Sequence, residues 1–272
     1  MAIVFLVLVV VFFVVWRIYK RLKRKAAIEA PFPLEWTEIL QNNYPVYQKL
    51  PPDLKDNLHQ KIQTFLFDKL FEGCGGQEIT DEIRVMIAAQ ACMLIVNRDV
   101  ECYPRLRTVL VYPTTYVAKE KESFNRDKTS NSVRLGESWT IGTVVLAWDS
   151  VKKDAFKMDD GHNVTMHEFA HQLDQEDGYG DGIPVLGHYS AYSLWAEIFL
   201  EEFERLKQKT LQGKDDILDQ YGATNPAEFF AVATETFFER PEQLSKAHPG
   251  LFKELEAYYQ INPLTWTAKH LN

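Results

Sequence analysis

His167-Glu168-Phe169-Ala170-His171 is the stretch on which the reading of this chain turns. On a helix, residues four apart lie one above the other on the same face. Two imidazoles at that spacing reach one metal ion. Glu168 sits about 100° further around, beside the ion, where it takes a proton from water. This is the H-E-x-x-H pattern of zinc peptidases. Val164, Met166, Phe169, Ala170 and Leu173 would bury most of the helix, and neighbouring buried histidines need partners that a metal supplies.

Outward from the motif, Asp160-Gly161-His162-Asn163 leads into the helix, which is expected to stop near Gly178. A Gly- and Asp-rich loop covers 177–188, and a long helix runs from Tyr192 to about Leu211, apolar at Leu194, Trp195, Ile198, Phe199 and Phe203. Further helices start at Pro226 and Pro249. Upstream, Pro51-Pro52-Asp53 opens a helix through Leu58, Ile62, Phe65 and Leu66 that ends near Gly73. Thr80-Asp81-Glu82 reads as the acidic first turn of a helix to about Asn97. Arg107–Tyr112 and Thr143–Trp148 read as buried strands, with a polar loop or irregular hairpin over 119–138. The expected fold class is α+β, mostly helical, with a small sheet before the motif helix.

A catalytic zinc takes three protein ligands and leaves one position for water. Asp174 lies on the ligand face and suits either a partner for an imidazole or a solvated helix charge. Asp177 would face about 240° away. The better source is Asn225-Pro226-Ala227-Glu228-Phe229-Phe230. There Asn225 caps a helix, Pro226 takes its first position, and Glu228 falls at the third. Glu228 is thus either a capping-box residue or the third ligand. Glu235, seven residues on, shares its face and is placed to hydrogen-bond a ligand histidine. Glu197, Glu201 and Glu202 look like the solvated side of the preceding helix.

Composition narrows the function classes. The 272 residues are 46% hydrophobic and 13% aromatic, enough for a sizeable core. Cys74, Cys92 and Cys102 are odd in number and form no C-x-x-C pair, which fits a reducing compartment. Cys92, within an apolar run, reads as a core residue. Residues 1–25 hold Arg17, Lys20, Arg21, Lys23, Arg24 and Lys25 and no acid. Setting these six aside from 30 basic and 38 acidic residues leaves 24 against 38, a net charge of −14. No basic stripe remains to follow a nucleic-acid backbone, so nucleic acid is excluded as a partner.

Ala2–Trp16 is an unbroken apolar run. A cleaved signal peptide carries its positive charge before such a run, and here the charge follows it. Extended through Tyr19, with Arg17 snorkelling, the run would span about 28 Å as a helix, near the ~30 Å hydrocarbon core. The expectation is a membrane anchor over 1–19 and a basic linker over 20–30. Residues 31–272 then form the soluble domain, placed on the cytoplasmic side of the inner (plasma) membrane by the positive-inside rule.

Ala147-Trp148-Asp149, Asp160–Asn163, His167–Asp174 and Asn225–Val232 together resemble the Mlc titration factor A family of zinc-dependent peptidases. A more distant similarity is to the catalytic domain of anthrax lethal factor, which shares a Tyr-Gly…Glu-Phe-Phe-Ala pattern after its H-E-x-x-H. The resemblance covers most of residues 31–265. It implies one zinc per chain on His167, His171 and Glu228, with Glu168 as general base and a peptide or protein as substrate. By match to the lethal-factor pattern, Tyr221 stabilises the oxyanion or donates a proton. The family name also implies a rival reading, a module that sequesters a cytoplasmic regulator such as a transcriptional repressor. Cleavage at chain ends and internal cleavage both remain open.

Overall fold

The computed structural model describes residues 2–114, 116–118, 132–134, 136–137 and 142–267. The chain opens with α1 (Ala2–Glu29), α2 (Leu34–Asn43), α3 (Pro45–Lys49) and α4 (Pro52–Asp68). Then follow β1 (Leu70–Gly73), α5 (Asp81–Met93), β2 (Thr108–Tyr112), β3 (Tyr116–Ala118), β4 (Ser132–Arg134), β5 (Gly136–Glu137) and β6 (Thr143–Ala147). The second half is helical: α6 (Trp148–Phe156), α7 (Val164–Asp174), α8 (Ala191–Leu211), α9 (Pro226–Glu239), α10 (Pro241–Ala247), α11 (Pro249–Tyr259) and α12 (Leu264–Thr267).

Local chemistry accounts for the helices that matter most. Pro52 occupies the first turn of α4, where its missing N–H costs nothing, and Leu54, Leu58, Ile62, Phe65 and Leu66 turn one stripe inward. Thr80 caps α5 by accepting from the N–H of Ile83 at 3.3 Å. α4 stops at Asp68, not near Gly73, because Leu70–Gly73 peels off as β1 and pairs in parallel with β2, Leu70 opposite Thr108.

The sheet has the order β1-β2-β6-β5. Its first three strands are parallel, and β5 runs antiparallel to β6, Gly136 opposite Leu146. β6 is therefore an interior strand. It cannot take an added peptide strand, a role the sequence leaves open for Thr143–Trp148, and Trp148 itself begins α6. The 119–138 reading lies mostly outside the described residues; at its margins β3 pairs antiparallel with β4.

The core lies between the sheet and the helices. Phe169, the middle residue of the motif, is wholly buried. Its ring meets Tyr103 edge-on at 5.0 Å and Phe65 at 5.6 Å. Burying one such side chain stabilises the fold by about 1.5–3 kcal/mol, which anchors α7 to α4 and the sheet side. On the other flank Trp195 stacks on Phe199 at 3.9 Å, with Phe230 of α9 edge-on to the indole.

The N-terminal expectation is corrected. Among the described residues no helix is long and apolar enough to cross a membrane. The apolar run Ala2–Trp16 of α1 rises about 22 Å as a helix against a hydrocarbon core of ~30 Å. Arg17, Lys20 and Arg21 follow within the next two turns. The single-pass inner-membrane placement expected from this run is overturned by that finding among the described residues.

Candidate metal centre

α7 and α9 pack together and each begins with a capped turn. Asn163 Oδ1 accepts from the N–H of Met166 at 2.8 Å, and Asn225 Oδ1 accepts from the N–H of Glu228 at 3.0 Å. These caps fix the rotation of both helices. They turn His167 and His171 of α7 toward Glu228 of α9.

Three donor atoms converge. His167 Nε2 lies 3.0 Å from Glu228 Oε2, His171 Nε2 lies 3.3 Å from the same oxygen, and the two Nε2 atoms are 3.2 Å apart. Among the described residues, His167, His171 and Glu228 form the cluster suited to hold an ion, with all ligand atoms within 4.8 Å of one another. Two imidazole nitrogens and one carboxylate oxygen match the donors of a catalytic zinc site. Of the two sequence alternatives for Glu228, the capping box does not form: Asn225 alone caps α9, and the Glu228 carboxylate faces the site. The backbone N–H satisfies the cap, while the side chain points at the histidines.

The electrostatics fit a cation. Burial opposes charge on the His167 ring, yet its hydrogen bonds to Glu228 and Glu235 prevail and push it up to about 10. Burial likewise opposes charge on Glu228, but His167 and His171 hold its carboxyl well below the usual range. The pocket keeps a carboxylate ionised beside two rings, and a bound proton and a bound metal compete for the same nitrogen.

A shell of carboxylates surrounds this cluster. Glu235 Oε1 lies 2.7 Å from His167 Nδ1, and its Oε2 accepts from the N–H of Asn163 at 2.5 Å. This fixes which ring nitrogen faces Glu228. One turn later Glu239 Oε2 accepts from the N–H of Gly161 at 2.9 Å, and Asp154 Oδ2 accepts from the N–H of Val164 at 3.0 Å. The N-terminus of α7, positive by its dipole, thus rests on three acids. Burial pushes Glu239 up to about 9 and Asp154 up to about 6. Glu239 and Asp154 escape the sequence reading, although Glu228, Glu235 and Glu239 recur on one face of an otherwise apolar helix, a signal that was there to use.

Of the remaining residues singled out by sequence, Glu168 is buried on α7, within electrostatic reach of His167. Tyr221 is half-exposed on a 3-10 turn, Gln220–Ala223, its ring 6.0 Å from that of His167. Its N–H is held by Asp219 Oδ1 at 2.6 Å, and the other Asp219 oxygen lies 3.6 Å from His162 Nε2. Asp174 is wholly buried and turns to the loop, accepting from the N–H of Gly182 at 2.9 Å. Asp177 is used by its own turn, accepting from the N–H of Tyr179 at 2.9 Å. Glu197 and Glu201 are exposed, as read, whereas Glu202 turns inward to His248.

Comparison with known proteins gives the family of the chain. The family described as Glucose-regulated metallo-peptidase M90 matches residues 18–260. An uncharacterized protein of Synechocystis sp. is 42% identical over 245 residues, covering 89% of each chain. Mlc titration factor A of Escherichia fergusonii is 30% identical over 236 residues, covering 85% of this chain and 87% of its own. That of Pectobacterium atrosepticum is 30% identical over 220 residues, covering 78% and 82%. With capped α7 and α9, a clustered His-His-Glu set and a match over most of its length, the chain belongs to the glucose-regulated metallo-peptidase M90 family, with Mlc titration factor A proteins among its relatives.

Proposed function

We propose that this chain is a zinc-dependent peptidase whose site is held by His167, His171 and Glu228, within a catalytic unit spanning residues 31–272. The observation that carries the reading is the convergence of those three donors within 4.8 Å beside a buried Glu168. A zinc ion in that position would lower the pKa of water towards about 7 and polarise the scissile carbonyl. Glu168 accepts the proton of the attacking water and returns it to the leaving amine. Glu235 fixes the His167 ring through Nδ1, so that Nε2 stays directed at the cluster. Tyr221, at the lip of the site, offers its hydroxyl to the developing oxyanion. Among the described residues the outer edge of β5 is unpaired and offers backbone pairing to an extended peptide, since β6 is flanked on both sides.

The test is Glu168→Gln. It is expected to abolish peptide hydrolysis while zinc still binds one per chain; hydrolysis at the wild-type rate overturns the reading. A second reading draws on the name of the relatives, Mlc titration factor A: a module that sequesters a regulator. Under it, the Glu168→Gln protein keeps its cellular role in full.

A further inference from the structure

The 3-10 turn that carries Tyr221 is held on both flanks. Before it, Leu218 is buried, and its N–H donates to Asp216 Oδ1 at 3.2 Å. Inside it, Gly222 is buried, and a Cβ there would stand 3.2 Å from Leu206 of α8 and from Val232 of α9. A glycine thus lets the turn lie close against both helices. Between these two points Tyr221 projects outward, 54% exposed, its ring 6.0 Å from that of His167 and tilted by 39°. The backbone that carries it therefore sets where the phenol starts.

Asp219 governs that backbone. Its Oδ1 accepts from the N–H of Tyr221 at 2.6 Å, and its carbonyl oxygen accepts from the N–H of Gly222 at 3.0 Å. A carboxylate capping an N–H is a charge-assisted bond, stronger than a neutral cap. Oδ2 lies 3.6 Å from His162 Nε2. His162 in turn is fixed at the entrance of α7. Its N–H donates to Asp160 Oδ1 at 3.1 Å, and the next residue, Asn163, caps the helix. One side chain thus joins the turn bearing Tyr221 to the start of the helix bearing His167 and His171.

Resting on the peptidase reading, in which the Tyr221 hydroxyl meets the developing oxyanion, we propose that Asp219 is the positioning residue for Tyr221, and that His162 fixes Asp219 relative to the metal centre. Neither side chain takes or gives a proton in the reaction. A donor aimed at developing charge acts through its place being set before the charge appears. Misplacing a group by ~1 Å costs up to about 100-fold in rate. Asp219 supplies that fixity from the turn, and His162 supplies it from α7. The hydroxyl acts on the transition state and not on the bound substrate, so loss of its position falls on kcat and not on KM.

The experiment compares the full-length protein with its Asp219→Ala, Asp219→Asn, His162→Ala and Tyr221→Phe variants, each with isotopically labelled tyrosine ring carbons and read both by NMR and by peptide hydrolysis. Tyr221→Phe identifies the Tyr221 resonance by its loss. Asp219→Ala is expected to shift that resonance while the other tyrosines keep theirs, and to lower kcat about tenfold at unchanged KM. Asp219→Asn, whose amide oxygen still caps the turn, is expected to restore kcat to within about threefold of wild type. In the Tyr221→Phe background, Asp219→Ala is expected to cost less than about twofold, because the group it positions is gone. Equal losses with and without the hydroxyl, an asparagine variant no better than the alanine one, or a Tyr221 resonance that Asp219→Ala leaves in place overturns the proposal. Should Asp219→Ala fail to fold, His162→Ala decides, expected to move the same resonance. The spectrum needs no hydrolysis, so a wild type that cleaves no peptide strikes the peptidase reading, while the resonance still decides whether Asp219 holds Tyr221.

Discussion

His167 Nδ1 stands 2.7 Å from Glu235 Oε1, so the ring is gripped on the side away from Glu228 by a residue two turns further along the same helix. Glu235 also holds the N–H of Asn163, which in turn caps α7. One carboxylate therefore sets both the ring and the start of the helix that carries it.

Glu235→Gln keeps the shape of this support and removes its charge. Zinc affinity is expected to fall about 10–100-fold, as is usual for the hydrogen-bond partner of a ligand histidine. Competitive titration against a chelator measures it. An unchanged affinity would mean that Glu235 does no more than fasten Asn163.

Gly182 ties the end of α7 to the start of α9. Its N–H is held by Asp174, its φ is +80°, and a Cβ there would collide with the carbonyl oxygen of Pro226. Gly182→Ala is expected to cost about 2–4 kcal/mol. Gly76, at φ +86° with open space around its Cβ position, provides the comparison: Ala there costs only about 1–2 kcal/mol. Denaturant midpoints for the two variants separate collision from backbone strain, and equal losses would count against the Gly182 fit.

A second histidine, fully buried, holds the approach to Tyr221. His248 Nδ1 lies 2.7 Å from Glu202 Oε2 and Nε2 lies 2.8 Å from Asp216 Oδ1, while Lys209 Nζ reaches Asp216 Oδ2 at 2.6 Å. Arg205 flanks Glu202 at 3.3 Å. Burial opposes the His248 charge, but the two carboxylates raise it above 6.5; His248 and Lys209 hold Asp216 below 3.8 despite burial. The raised histidine stabilises fully below its ordinary value and loses that contribution as pH rises through its folded value. The depressed aspartate stabilises above its ordinary value and loses it on acidification. The contribution is therefore greatest between about pH 4 and 6.5. Melting curves of wild type and His248→Gln are expected to differ most near pH 5–6 and to draw together as pH rises above about 6.5; a gap that widens with alkali contradicts the assignment.

Much of this was legible in the sequence, for identifiable reasons. Caps announce themselves locally: Asn163 before the motif helix and Asn225-Pro226 before α9 are written in adjacent residues. That Glu228 meets the histidines is implied by the family resemblance, because helical periodicity sets a residue's face but not which helix packs against it. What was missed depends on partners far along the chain. Leu70–Gly73 has no alternation to mark it as β1 and becomes a strand only beside β2. Glu202 reads as a solvated charge until His248, forty-six residues later, folds against it. At the N-terminus the apolar character of Ala2–Trp16 is plain in the sequence, but among the described residues no helix is long and apolar enough to cross a membrane.

The most direct test is to locate zinc by anomalous scattering at its absorption edge in crystals grown with one equivalent of the metal. The structure leads us to expect one ion per chain, about 2.0–2.2 Å from His167 Nε2, His171 Nε2 and a Glu228 carboxylate oxygen. An ion bound elsewhere, or Glu228 turned more than about 6 Å from both imidazole tips, contradicts it.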